Sequence, residues 1–310
     1  MNKTLNTSAR RPLLVAAAVL STLTLGACAS GDMKAAASQM GQMAGQMAST
    51  MMNGSTGDTV AVTAQGEVIS VNRQNPSVIV TRAPITLNGA QAGETVVGID
   101  QRPENGLIYA VGSKGTIFTL NAASGKADRV STLMTGEPGM MKPLALEGSA
   151  FGVDFNPVAD RLRVVGNTGQ NLRINVDTGA TIVDGRINPD SLGARISSVA
   201  YTNSVKDAKG NANGKGTKMY DIDAVKGLLH NQSDPNGGKL EAGVAMGWKA
   251  TEWNGFDISG KTGQGFAVLA NPSGEVALYT VNVDAKSMPL GKVGAFGDGK
   301  TALVGLTLKD

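Results

Sequence analysis

The sequence predicts an all-β fold, a five-bladed β-propeller built from four-stranded antiparallel blades. Three observations carry this expectation. From Asp58 onward, short stretches of alternating apolar and polar residues are separated by Asn-Gly, Ser-Gly and Asn-Pro turns, which is the period of strands and not of helices. Five of these stretches look equivalent, and they recur about every 50 residues, the spacing of a propeller blade. The two ends are also complementary: one offers three strands without a first strand, and the other a first strand with nothing after it. Glycine at 41 of 310 residues, with aromatics at 4%, suits a chain of many turns.

Residues 1–27 read as a leader. Lys3, Arg10 and Arg11 make a basic start, and Leu13 to Leu25 is an apolar run too short to span a bilayer comfortably. Leu25-Gly26-Ala27-Cys28 resembles a bacterial lipobox. Cys28 would then carry lipid, begin the mature chain and anchor it to a membrane of the cell envelope. The other reading is an ordinary signal peptide with an incidental cysteine. Ala29 and Ser30 carry no acidic retention signal, which favours an outer-membrane position facing periplasm or surface. Three of the 28 basic residues lie in the leader, so 25 remain against 25 acidic ones. The mature chain is neutral and lacks the basic footprint of a nucleic-acid binder. With Cys28 the only cysteine, no internal disulfide can form.

Residues 28–57 form a Met/Gln/Ala-rich tether. Met33, Met40, Met43, Met47 and Met51 share one stripe if the segment is helical, although Gly41 and Gly45 weaken a helix. The plain reading is a spacer between lipid and domain. The sharper one is a thioether site for Cu(I).

Residues 58–310 are the propeller. Its first strands are VVGID at 96–100, FGVDF at 151–155, SSVAY at 197–201, NGFDI at 254–258 and VGLTL at 304–308. Their central positions are Gly98, Gly152 or Val153, Val199, Phe256 and Gly305. The second unit, Ala150 to Gly185, is the clearest, with strands AFGVDF, RLRVV, NLRINV and ATIVDG. The third carries an insertion, Lys206 to Lys218, rich in Gly, Asn and Lys. TVAVTAQ, EVISVN and VIVTRAPI, from Thr59 to Ile85, complete the last unit with Leu303 to Leu308. A ring closed from both ends leaves no sheet edge open to aggregation.

The run FGVDFNPVADRLRVVGNTGQNLRINVDTGATIVDG, with VVGIDQRPENGLIYAVGSKGTIFTLNAASGKA before it, resembles the bacterial family known as domain of unknown function 4394. The resemblance covers about residues 58–310. It implies an exported, propeller-like protein and carries no catalytic residues across.

Candidate chemistry is sparse. His230 is the only histidine, so a His-based zinc site or a Ser-His-Asp triad has little to build on. The unusual residues are Arg161, Arg163 and Arg173, which put charge where sibling strands carry none. Blades stack face to face, so these guanidiniums need carboxylate partners. Asp100, Asp154 and Asp257 lie at like positions near first-strand ends, with Asp160 and Asp184 close in sequence. One reading is a structural Arg–Asp network. The other is an anion or carbohydrate pocket with Arg161, Arg163, Arg173 and Asp154 as its ligand-binding residues. Asp154, Asn156 and Asp160 could supply oxygens to calcium, though such residues also serve turns; no cofactor is otherwise expected. The sequence as a whole points to an envelope-anchored propeller lipoprotein with a binding or scaffolding role. Its partners would be the membrane, through the lipid, and a protein or glycan at propeller loops. The alternative is a propeller enzyme such as a metal-dependent hydrolase or lactonase.

Overall fold

The structure, a computed structural model, describes residues 56–187, 193–206 and 216–310. Cys28, the methionine stripe and most of the Lys206–Lys218 insertion lie outside the described residues. Among the described residues no helix is long and apolar enough to cross a membrane.

The innermost strands of blades I to V are Val96–Gln101, Phe151–Asn156, Ser198–Tyr201, Gly255–Ile258 and Leu303–Leu308. Blade I continues outward through Ile108–Gly112, Thr116–Leu120 and Lys126–Thr132, with Thr86–Asn88 added in parallel at its rim. Blade II continues through Arg161–Gly166, Asn171–Ile174 and Thr181–Val183. Blade III has Met219–Asp223, Leu228–Asp234 and the short Lys239–Leu240, and blade IV has Gly265–Ala270, Val276–Val281 and Leu290–Ala295. Blade V is shared by distant segments. Leu303–Leu308 pairs with Thr59–Thr63 in the register Val60↔Thr307 and Ala61↔Leu306, and Glu67–Asn72 and Asn75–Pro84 follow outward.

The alternation read in the sequence becomes packing between blades. Five clusters of buried apolar side chains fill the five interfaces. Four of them hold ten to thirteen buried residues, whereas the blade II–III cluster holds seven. Polar side chains occupy the remaining space there. Tight turns set the strand lengths: Gly125 and Gly179 adopt positive φ, and a Cβ at either would lie about 2 Å from a backbone oxygen, of Pro84 or Thr132.

Around the axis the first strands approach backbone to backbone. A Cβ on Gly98 would lie 2.3 Å from Val153 Cγ2, and one on Gly255 would lie 2.5 Å from Leu306 Cβ. The same close approach holds at Gly152 against Val199 and at Gly305 against Ile99. The void left among these residues is about 10 Å³, room for one water at most. In blade IV the axial position is Gly255, one residue before the Phe256 expected from the repeat. Phe256 is buried between blades III and IV instead.

Candidate functional site

Each inner strand places one residue two positions past its axial glycine or valine. These residues are Asp100, Asp154, Tyr201, Asp257 and Thr307. The three aspartates are 5%, 1% and 5% exposed, and one oxygen from each lies within 4.8 Å of the others. Side chains in this ring tie together four of the five neighbouring blade pairs. Phe155 N donates to Asp100 Oδ2 at 2.7 Å, Tyr201 N to Asp154 Oδ1 at 3.1 Å and Leu308 N to Asp257 Oδ2 at 2.7 Å. Thr307 Oγ1 accepts from Gln101 N at 3.0 Å and donates to Asp100 Oδ1 at 2.8 Å.

Burial pushes all three carboxyls up. Asp100 rises to about 7 despite the donors from Phe155 and Thr307. Asp154 and Asp257 rise well above the usual carboxylate range, first through burial and then through the neighbouring negative charge. The segment Asn203–Lys206 runs over this end of the ring. Val205 abuts Gly260 of blade IV, and Lys206 pairs with Glu104 of blade I. The set is oxygen-only, as a hard cation requires, but both oxygens of Asp100 and both of Asp257 already accept protein hydrogen bonds. The sequence signal for this convergence was present in the like positions of the three aspartates. What it lacked was the geometry that aims them at each other rather than at the arginines.

The arginines of blade II turn to blade III. Arg163, 1% exposed, donates to Tyr201 Oη at 3.1 Å, Asn171 Oδ1 at 2.7 Å, Asp184 Oδ2 at 2.7 Å and Asn236 Oδ1 at 3.0 Å. Arg173 holds the same Asp184 through two bonds of 2.7 and 2.9 Å. These contacts make a structural network in which every nitrogen of Arg163 is spent on protein. Arg161 stands apart and donates to the backbone oxygens of Ala159 and Asp160.

The structure does not gather Asp154, Asn156 and Asp160. Asn156 Oδ1 caps its own turn by accepting from Val158 N and Ala159 N, both at 2.9 Å. Asp160 joins Asp177 around Arg102 of blade I, at 2.5 and 2.8 Å. Asp154 alone of the three faces the axis.

Residues 67–307 match the family described as Domain of unknown function (DUF4394). The chain belongs to that family. No curated protein matches it. Among solved structures it is similar to a structural-genomics protein of unknown function from Bacteroides thetaiotaomicron, at 14% identity and TM-score 0.45, covering 82% of this chain and 64% of that one. The chain thus spans less than two thirds of that relative. Glutaminyl cyclase from Myxococcus xanthus is 14% identical with TM-score 0.39, over 71% of this chain and 84% of that one. BamB from Moraxella catarrhalis is 14% identical with TM-score 0.27, over 72% and 54%. Likenesses of this degree carry nothing about activity.

Proposed function

We propose that this protein is a binding or scaffolding propeller, lipid-anchored at Cys28 to the outer membrane of the cell envelope, that engages a protein or glycan through loops at one ring face. The observation that carries the reading is the closed axis. The glycine approach leaves about 10 Å³ there, whereas ligand pockets run to hundreds of Å³, so binding falls to the rim. The loops between blades offer Met140 and Trp253, 75% and 50% exposed, on the face opposite the aspartate ring. The pairs Arg195–Glu252 and Arg186–Glu147 lie in the same loops.

Photocrosslinking in intact cells tests this. Benzoylphenylalanine at 140 or 253 is expected to trap a discrete partner, and the same probe at exposed Val158 on the other face is not. Trapping only at 158, or at none of the three, overturns the reading. Cys28→Ala is expected to move the protein from the membrane to the soluble fraction.

The convergence of Asp100, Asp154 and Asp257 is the one observation that favours a calcium-dependent hydrolase or lactonase. Burial and the strap at 203–206 argue against substrate access. On the binding reading, aryl esters and lactones are not turned over with calcium present. Turnover lost in Asp154→Asn would favour the enzyme.

A further inference from the structure

The blade II–III interface contains a set of buried polar atoms that lack partners. Asp221 is fully buried, and among the described residues neither of its carboxylate oxygens has a hydrogen-bond partner. His230 Nε2 and Gln232 Oε1 are also buried and unpartnered, in residues 8% and 1% exposed. All three residues lie on neighbouring strands of blade III. Asp221 stands directly opposite His230 in the register, and Gln232 follows two residues along on the same face. Directly opposed Cβ atoms lie about 5 Å apart, and long side chains reach the diagonal neighbour.

The character of these atoms is fixed by bonds on their far sides. His230 Nδ1 lies 2.9 Å from the carbonyl oxygen of Glu241. A carbonyl only accepts, so Nδ1 holds a proton, and in the neutral ring Nε2 presents a lone pair. Gln232 Nε2 donates to the Pro235 carbonyl at 3.0 Å, which leaves its Oε1 as an acceptor. Four lone-pair atoms therefore share one buried face with no donor among them. A proton on Asp221 would supply one donor, and one water would supply two. Protonation also turns one of the four acceptors into that donor, so a proton and one water together meet the remaining three only if every hydrogen is committed. A metal ion takes all four at once. An imidazole held by a backbone carbonyl is also how metal-ligating histidines are oriented.

We propose that Asp221, His230 and Gln232 bind a divalent transition metal of the class that accepts imidazole nitrogen together with oxygen, such as Zn²⁺ or Mn²⁺. The nearby Arg163 does not compete for Asp221, because Asp184 holds it at 2.7 Å. A surface cavity of about 220 Å³, lined also by Val283 and Ala285 of blade IV, reaches His230 but neither Asp221 nor Gln232. The site is separate from the axial aspartates and does not depend on the binding role proposed above.

The full chain, produced without a polyhistidine tag and stripped with chelator, is titrated with Zn²⁺ or Mn²⁺. The expected result is one tight equivalent and a Tm rise of roughly 5 °C at a hundredfold excess over Kd. Both are lost in Asp221→Asn and in His230→Gln and are kept in Asp100→Asn. Co²⁺ gives a second readout: bands of mixed nitrogen and oxygen ligation in the wild type, absent in His230→Gln. Absence of uptake by the wild type, or uptake that survives both Asp221→Asn and His230→Gln, overturns the proposal. A folded Asp221→Asn protein more stable than the stripped wild type, combined with no wild-type uptake, would mark the pocket as a protonated or hydrated carboxyl.

Discussion

Asp100, Asp154 and Asp257 sit where three inner strands meet, with no cationic side chain among the described residues bonded to any of them. A carboxyl whose folded pKa lies above its unfolded value binds more protons folded than unfolded. Its contribution is fully present below the unfolded pKa and is lost as pH rises through the folded one. For Asp100 that window runs from about 4, the unfolded value, to about 7. Stability is therefore expected to fall across it, by about 1.4 kcal/mol per pH unit for each titrating group. Asp100→Asn should flatten the slope in thermal melts between pH 4 and 8. A melt that strengthens with pH would refute the assignment. Arg163 makes the opposite kind of prediction. Its charge is buried and matched, so Arg163→Met leaves Asn236 and Tyr201 without their donor and should cost about 3–5 kcal/mol, measured by urea unfolding. Loss of less than 1 kcal/mol would mean the network is not structural.

At the scale of the strand, the fold depends on what is missing from a few positions. Gly98, Gly152, Gly255 and Gly305 let neighbouring inner strands touch where any Cβ would collide. Gly255→Ala, facing Leu306 Cβ at 2.5 Å, is expected to lower stability by about 1–3 kcal/mol. An exposed control such as Gly274, whose Cβ would meet nothing within 4 Å but whose φ is +82°, should cost about 1 kcal/mol through backbone conformation alone. Differential scanning calorimetry distinguishes the two. Strand order, blade count and the charged face of blade II were legible in the sequence, because alternation and turn residues report local structure directly. The axial position of blade IV was shifted by one because Phe256 resembles the apolar centre of its siblings, while the constraint acts on the neighbouring glycine. The partner of Arg163 was named only within a group of candidates. The choice of Asp184 over Asp154 depends on which face of the blade each side chain takes. Asp221 was not singled out at all, since a lone acidic residue in KMYDI reads as ordinary until its surroundings are known.

For the whole molecule, blade V is the clasp. The pairing of Leu303–Leu308 with Thr59–Thr63 closes the ring across more than 240 residues of chain. A variant lacking residues 303–310 should lose its cooperative melt, because blade IV then loses the packing of Leu306 and Leu308, and blade I that of Val304. A synthetic peptide of that sequence should restore the melt by re-forming the same ladder. Failure to respond to the peptide, with the shortened protein still folded, would show that closure is dispensable.

That clasp also governs when folding can finish. Synthesis runs from one end of the chain to the other, and blades I to IV leave the ribosome before Leu303–Leu308 does. Until that strand emerges, Thr59–Thr63 has no inner partner and the five-fold interface set is incomplete. A growing chain can therefore hold separate blade-sized meanders but no finished ring, and it stays threadable until Leu303–Leu308 has been made.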